Sequence, residues 1–139
     1  MQTIKLQAAI ISNYGGDAKE PWVAPQDIAS LIAEEMEKPF AGRTVRYIAS
    51  DEVSPNEIAR ILGEAIGRPD LKWHLIPDEQ LLNGMLNAGV NPVIAQGMVE
   101  MQASQRSGLL FEDYYRHQPP LGTIKFTEFA QDFAKVYHR

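Results

Sequence analysis

The chain has 139 residues, no cysteine and a formal net charge of -5, with 45% hydrophobic and 22% charged residues. That length and mix predict one compact domain, residues 1–139, and the missing cysteines exclude disulfides, a thiol nucleophile and a zinc knuckle. The acidity argues against nucleic acid as a partner, and no apolar run reaches the length of a membrane span, so neither nucleic acid nor membrane is expected.

Ile4, Leu6, Ala8 and Ile10 alternate with Lys5, Gln7 and Ala9, which predicts a strand over residues 3–11. The opening Met1-Gln2-Thr3-Ile4-Lys5 lacks the charged-then-apolar layout of a signal peptide, so a cytoplasmic protein is expected. Ser12-Asn13-Tyr14-Gly15-Gly16-Asp17 is turn chemistry. A glycine pair after a strand can cradle phosphate, but no helix follows it directly, so a plain turn is the better reading.

Pro25 suits the first position of a helix predicted over residues 25–38, with Trp22 and Val23 anchoring its start. Asp27 falls in its first turn, where a carboxylate meets orphan N–H groups and the positive end of the helix dipole. That placement reads as structural rather than catalytic. Ile28, Leu31, Ile32 and Met36 form one apolar stripe. Residues 44–49 are rich in β-branched and aromatic types and predict a second strand.

Ser54-Pro55-Asn56-Glu57 is the clearest local signal, a capping box with proline at the first helical position. The helix behind it carries Ile58, Ile61, Leu62, Ala65 and Ile66 as its buried stripe. Gly67 and Pro69 then end it. Glu57 reads as a cap, not an acid catalyst.

A third strand is predicted over residues 71–76. Strand, helix, strand, helix, strand at this spacing is the α/β pattern. A helix opening at Pro77-Asp78 and closing at Gly89 follows, then one from Asn91-Pro92 to Gly108. Two consecutive helices break the alternation, so residues 1–76 read as an α/β part and 77–139 as a mainly helical part. Residues 109–122 are less regular, and an amphipathic helix with Phe129, Phe133, Val136 and Tyr137 closes the chain.

The negatives narrow the chemistry. No G-x-G-x-x-G follows a strand, so no dinucleotide pyrophosphate cradle is read, and there is neither a P-loop nor a nucleophile elbow. His74, His117 and His138 fall in different elements without metal-ligand spacing, so no metal site is expected. Tyr14, Tyr47, Tyr114 and Tyr115 are followed four residues on by Ala18, Asp51, Gln118 and Pro119, so the Tyr-x-x-x-Lys proton relay is missing. No catalytic and no cofactor-binding residue is assigned. His74 reads as a surface or packed side chain. Asp113-Tyr114-Tyr115-Arg116-His117 is the densest polar cluster, read equally as pocket lining or as a solvated loop. Met85, Met98 and Met101 can wall an apolar ligand site, because methionine adapts to irregular shapes, but helical spacing alone makes core packing the first reading.

The order of motifs resembles the C-terminal half of the NmrA-like family of atypical short-chain dehydrogenases. The resemblance is carried by Tyr14-Gly15-Gly16, by Trp22-Val23-Ala24-Pro25-Gln26-Asp27-Ile28-Ala29 and by Gly42-Arg43-Thr44-Val45-Arg46-Tyr47. It continues through Ser54-Pro55-Asn56-Glu57-Ile58-Ala59, Gly67-Arg68-Pro69, Ile76-Pro77-Asp78-Glu79-Gln80 and Phe126-Thr127-Glu128-Phe129-Ala130. It implies an α/β, partial Rossmann-like fold: the last strands of a large parallel sheet plus a helical substrate subdomain, without the N-terminal dinucleotide-binding half. It also implies an NAD(P)-dependent oxidoreductase or NAD(P)-sensing regulator, of which this chain, a fragment or truncated product, is the substrate-binding portion. Alone, it is expected neither to bind cofactor nor to catalyse; NAD(P) enters only with the other half. Tyr14, Gly15, Met85, Met98 and Met101 carry over as the substrate wall. The alternative is a stand-alone, non-enzymatic module for a small apolar ligand or a protein partner. Strands that expect neighbours leave exposed edges, so a homo-oligomer formed through those edges is expected.

Overall fold

A computed structural model describes residues 2–39 and 42–139. Its elements run α1 (Gln2–Gln7), β1 (Ala9–Ser12), β2 (Glu20–Trp22), α2 (Pro25–Met36), β3 (Asp51–Val53), α3 (Pro55–Ala65), β4 (Lys72–Leu75), α4 (Asp78–Asn87), α5 (Pro92–Arg106), a 3-10 turn (Leu109–Phe111), α6 (Glu112–His117) and α7 (Phe126–Tyr137). β1 and β4 pair in parallel, Ala9 opposite Lys72 through Ser12 opposite Leu75. β2 and β3 pair antiparallel, Glu20 opposite Val53. No helix of the described residues is long and apolar enough to cross a membrane.

The core lies between α3 and α7. Ile58, Leu62 and Ile66 recur at four-residue spacing on α3, and Phe126, Ala130 and Phe133 follow the same logic on α7. Val53 and Leu71 close the cluster, with Trp22, Ile10 and Trp73 packed against it. The capping box forms as the sequence specifies: the Glu57 N–H donates to Ser54 Oγ at 3.2 Å, and the Ser54 N–H donates to Glu57 Oε2 at 2.9 Å. That second bond holds the Glu57 carboxyl below the usual carboxylate range. Ser54→Ala is expected to cost about 1 kcal/mol, and Ser54→Gly only a few tenths, by urea unfolding. Past α3, Gly67 sits at φ +71, the left-handed stop expected of it. Asn91 caps α5 by accepting the Val93 N–H at 2.9 Å.

The strands depart from expectation. Residues 3–7, expected in a strand, belong to α1, and Ala8 turns out of it at φ 49. The ladder is only as long as its partner: β4 starts at Lys72, whose N–H donates to Ala8 O at 3.0 Å, so among the described residues no strand pairs with residues before Ala8. The expected strand over 44–49 does not form, save a one-residue bridge from Ala49 to Leu121. β-propensity expresses itself only against a neighbouring strand, and among the described residues none lies beside 44–48. The third strand is shorter than expected, Lys72–Leu75, and the irregular stretch contains α6, which stops at His117, before Pro119. Trp22 does anchor the start of α2, but Val23 is exposed, as are Ile28, Ile32 and Met36 of the apolar stripe.

Candidate functional site

In α/β folds ligands gather at the carboxyl ends of parallel strands. Here that end of β1 is Ser12, followed by Asn13, Tyr14 and Gly15. Ser12 Oγ donates to Gln102 Oε1 at 2.9 Å. Asn13 is fully buried, and its Nδ2 donates to Asp78 Oδ1 at 2.9 Å and to Val99 O at 3.2 Å. Arg106 ties the two helices to the strand end, donating to Asn13 O at 2.7 Å and to Asp78 Oδ1 at 2.8 Å. Its guanidinium, with the Asn13 amide, keeps the Asp78 carboxyl below the usual range. α4 and α5 are thereby fixed over the end of the sheet.

Tyr14 and Gly15 meet Trp73 of β4. The indole N–H donates to Tyr14 O at 2.6 Å, the two rings lie edge to face at 5.2 Å, and a Cβ on Gly15 would come within 2.9 Å of the indole. The Tyr14 phenol is buried, and burial raises its pKa, with Glu20 adding to the effect and the Gln105 amide opposing it. Gln105 Nε2 donates to Glu20 Oε2, yet burial still pushes the Glu20 carboxyl up. Beside them Tyr114 donates to Glu52 Oε1 at 2.9 Å, and burial together with Glu52 raises its pKa to about 12. Tyr115, raised by burial and then by Glu52 and Glu20, donates to Lys19 O at 2.8 Å. Three protonated phenols therefore surround two carboxylates that have no ion-pair partner among the described residues.

A pH signature follows for Glu20. Its folded pKa lies above the unfolded value of about 4.3, so its contribution to stability is present below that value and is lost as pH rises through the folded one. Glu20→Gln keeps an acceptor for Gln105 and removes the charge. It is expected to raise the melting temperature at pH 7 and to leave it unchanged at pH 4.

Met98, Met101 and Gln105 stand at i, i+3 and i+7 and so share one face of α5. The two methionines are 39% and 48% exposed, while Met85 is half-buried on α4. The structure thus brings Tyr14 together with Gln105 and seats Gly15 against Trp73. Of the polar run at 113–117, Tyr114 and Tyr115 join the cluster. Asp113 and Arg116 form an exposed pair at 2.7 Å, and His117 stacks on Tyr47 at 4.4 Å. His74 is exposed. Glu20, Glu52 and Gln105 were not singled out in sequence: Gln105 lies 85 positions from Glu20, and no local pattern marks either. Among the described residues no group of three or more metal-ligating side chains converges.

Asp27 also departs from expectation. Its carboxylate serves no N–H of its own helix; it accepts from Ser50 Oγ at 2.6 Å, Thr123 Oγ1 at 3.0 Å and the Ile124 N–H at 3.2 Å. Next to it a cleft of about 560 Å³ opens between α2, residues 45–48 and residues 117–123.

No family model matches the sequence, and no curated protein matches it. The fold is similar to that of Citrobacter sp. triphenylmethane reductase complexed with NADP(H), with a TM-score of 0.72 and 20% identity, over 96% of this chain and 46% of that one. A second structure of the Citrobacter reductase gives a TM-score of 0.58 at 19% identity, over 96% of this chain and 47% of that one. The chain spans just under half the length of the solved structures it matches. The architecture is α/β and resembles part of an NmrA-like Rossmann fold, and a match to just under half of the neighbour is consistent with the expected likeness to a C-terminal half.

Proposed function

We propose that this chain is the substrate-binding portion of an NAD(P)-dependent oxidoreductase. The observation that supports the reading is the match of nearly the whole chain to less than half of a reductase solved with NADP(H). In this reading Tyr14 and Gly15 form the inner wall of the substrate site, with Met85, Met98 and Met101 as its apolar approach. The phenols stay protonated at neutral pH, so they act as hydrogen-bond donors that orient a substrate rather than as bases.

The residues of this chain do not fit the dinucleotide itself. A pyrophosphate needs a glycine-rich turn running straight into a helix N-terminus. After β1 the Gly15-Gly16 turn leads instead to β2, and Gly15 is closed off by the Trp73 indole. No hydride step is therefore assigned to this chain alone; its part is to hold and orient the second substrate.

Isothermal titration with NADPH is expected to show no micromolar binding by the isolated chain. A triphenylmethane dye, followed by its absorbance, is expected to bind, and Met98→Ala and Met101→Ala each to weaken that binding several-fold. Micromolar NADPH binding by this chain alone, or dye binding that ignores both methionines, overturns the reading.

A further inference from the structure

We propose that the outward face of α2 and the unpaired segment 44–48 together form the docking surface for a dinucleotide-binding half of a Rossmann-type reductase. The proposal rests on the reading of this chain as a substrate-binding portion. Ile28, Ile32 and Met36 recur every four residues along α2 and are 37%, 54% and 81% exposed. A helix of a folded domain ordinarily turns such a stripe inward. Residues 44–48 run alongside, unpaired among the described residues, with Val45 68% exposed. Their end is held in place: the Gly122 N–H donates to Ala49 O at 2.8 Å, and Ala49 bridges to Leu121. The segment therefore carries strand-forming residue types outside any ladder among the described residues.

The two features border one groove of about 700 Å³, lined by Ile28, Ile32, Met36, Thr44, Arg46 and Ile48. Its charged groups are engaged with one another, since Glu35 accepts from Lys38 at 2.6 Å and from Arg46 at 2.9 Å. An apolar helix stripe beside an unpaired segment of strand-forming residues is the shape left when a covered parallel sheet is divided: the segment seeks a ladder and the helix seeks the sheet face. The similar reductase supplies the occupant, because more than half of its chain lies beyond the part reproduced here. That remainder must meet the shared part across some surface, and this face has the complementary form.

The test is co-expression of the full 139-residue chain, tagged, with the portion of the Citrobacter reductase that it does not match. The two polypeptides are expected to co-purify one to one, and the amides of residues 44–48, fast to exchange in the chain alone, to become protected by about tenfold or more in the complex. Ile32→Glu with Met36→Glu is expected to abolish the complex while leaving the circular dichroism of the chain unchanged, because both side chains are already exposed. Leu109→Glu, also at an exposed position, is expected to retain it. No complex, a complex that survives the α2 substitutions, or a homodimer that those substitutions dissolve overturns the proposal. NADPH binding by the complex is read separately. A complex formed through this face that binds no NADPH keeps the docking surface and overturns the functional reading. One that binds NADPH but ignores Ile32 and Met36 does the reverse.

Discussion

Replacing Phe126 with alanine is expected to lower the unfolding free energy by about 3–5 kcal/mol. A domain of this size has roughly 5–15 kcal/mol in total, so the variant should be close to half-unfolded in mild urea. Phe126 is nearly inaccessible at the first position of α7, inside the cluster formed with Ile58, Leu62 and Ala130. Its ring meets Trp22 edge to face at 5.8 Å and Phe129 at 5.5 Å, contacts that add about 0.5–1.5 kcal/mol per pair beyond area burial. Its N–H also donates to Asp51 Oδ2 at 3.0 Å, fixing where α7 begins. Alanine keeps that N–H and empties the ring's volume, so the loss measured is packing. Phe129→Ala is the control: that ring is half exposed, and its loss should cost well under half as much. Equal costs by urea unfolding would mean that the core is not centred where α3 meets α7.

What the sequence revealed of this fold divides by the distance over which each signal acts. Ser54 with Glu57, Gly67, and Asn91 before Pro92 were legible because each end of a helix is decided by groups within four residues. The extents of the strands were not, because a strand is a pair. Residues 3–7 and 44–48 have strand-like composition and no ladder, and nothing in their own residues says so. The site divides in the same way. Tyr14 and Gly15 were reached through the resemblance, and Tyr114 with Tyr115 through local polar density. Glu20 could not be found, since a lone glutamate before Pro21 becomes notable only when Gln105, 85 positions on, folds over it. The α2 stripe was legible as apolar, and its exposure in the fold points to the surface argued to receive a second half.

Gly122→Ala is expected to destabilise the chain by about 1–3 kcal/mol, as overpacking of a filled site does. A Cβ there would collide with the Asp27 carboxylate. The backbone at 122 is itself held, its N–H donating to Ala49 O at 2.8 Å, so the carboxylate must be the group that moves. Asp27 can swing aside only by giving up Ser50 Oγ, Thr123 Oγ1 and the Ile124 N–H, which together join the start of α2 to the loop before α7. Those same donors, Ser50 first, hold its carboxyl below the usual value of about 3.9. Their contribution to stability is present above that pH and is lost as pH falls through the lower folded value. The advantage of the natural chain over Gly122→Ala should therefore be full at pH 7 and shrink below about pH 4. A double-mutant cycle isolates the cause. With Asp27→Ala in place the obstacle is gone, so Gly122→Ala should add little further loss. If alanine at 122 costs the same whether or not Asp27 is present, the collision is not what requires glycine there, and Asp27 does not tie α2 to the loop before α7 in the way its hydrogen bonds imply.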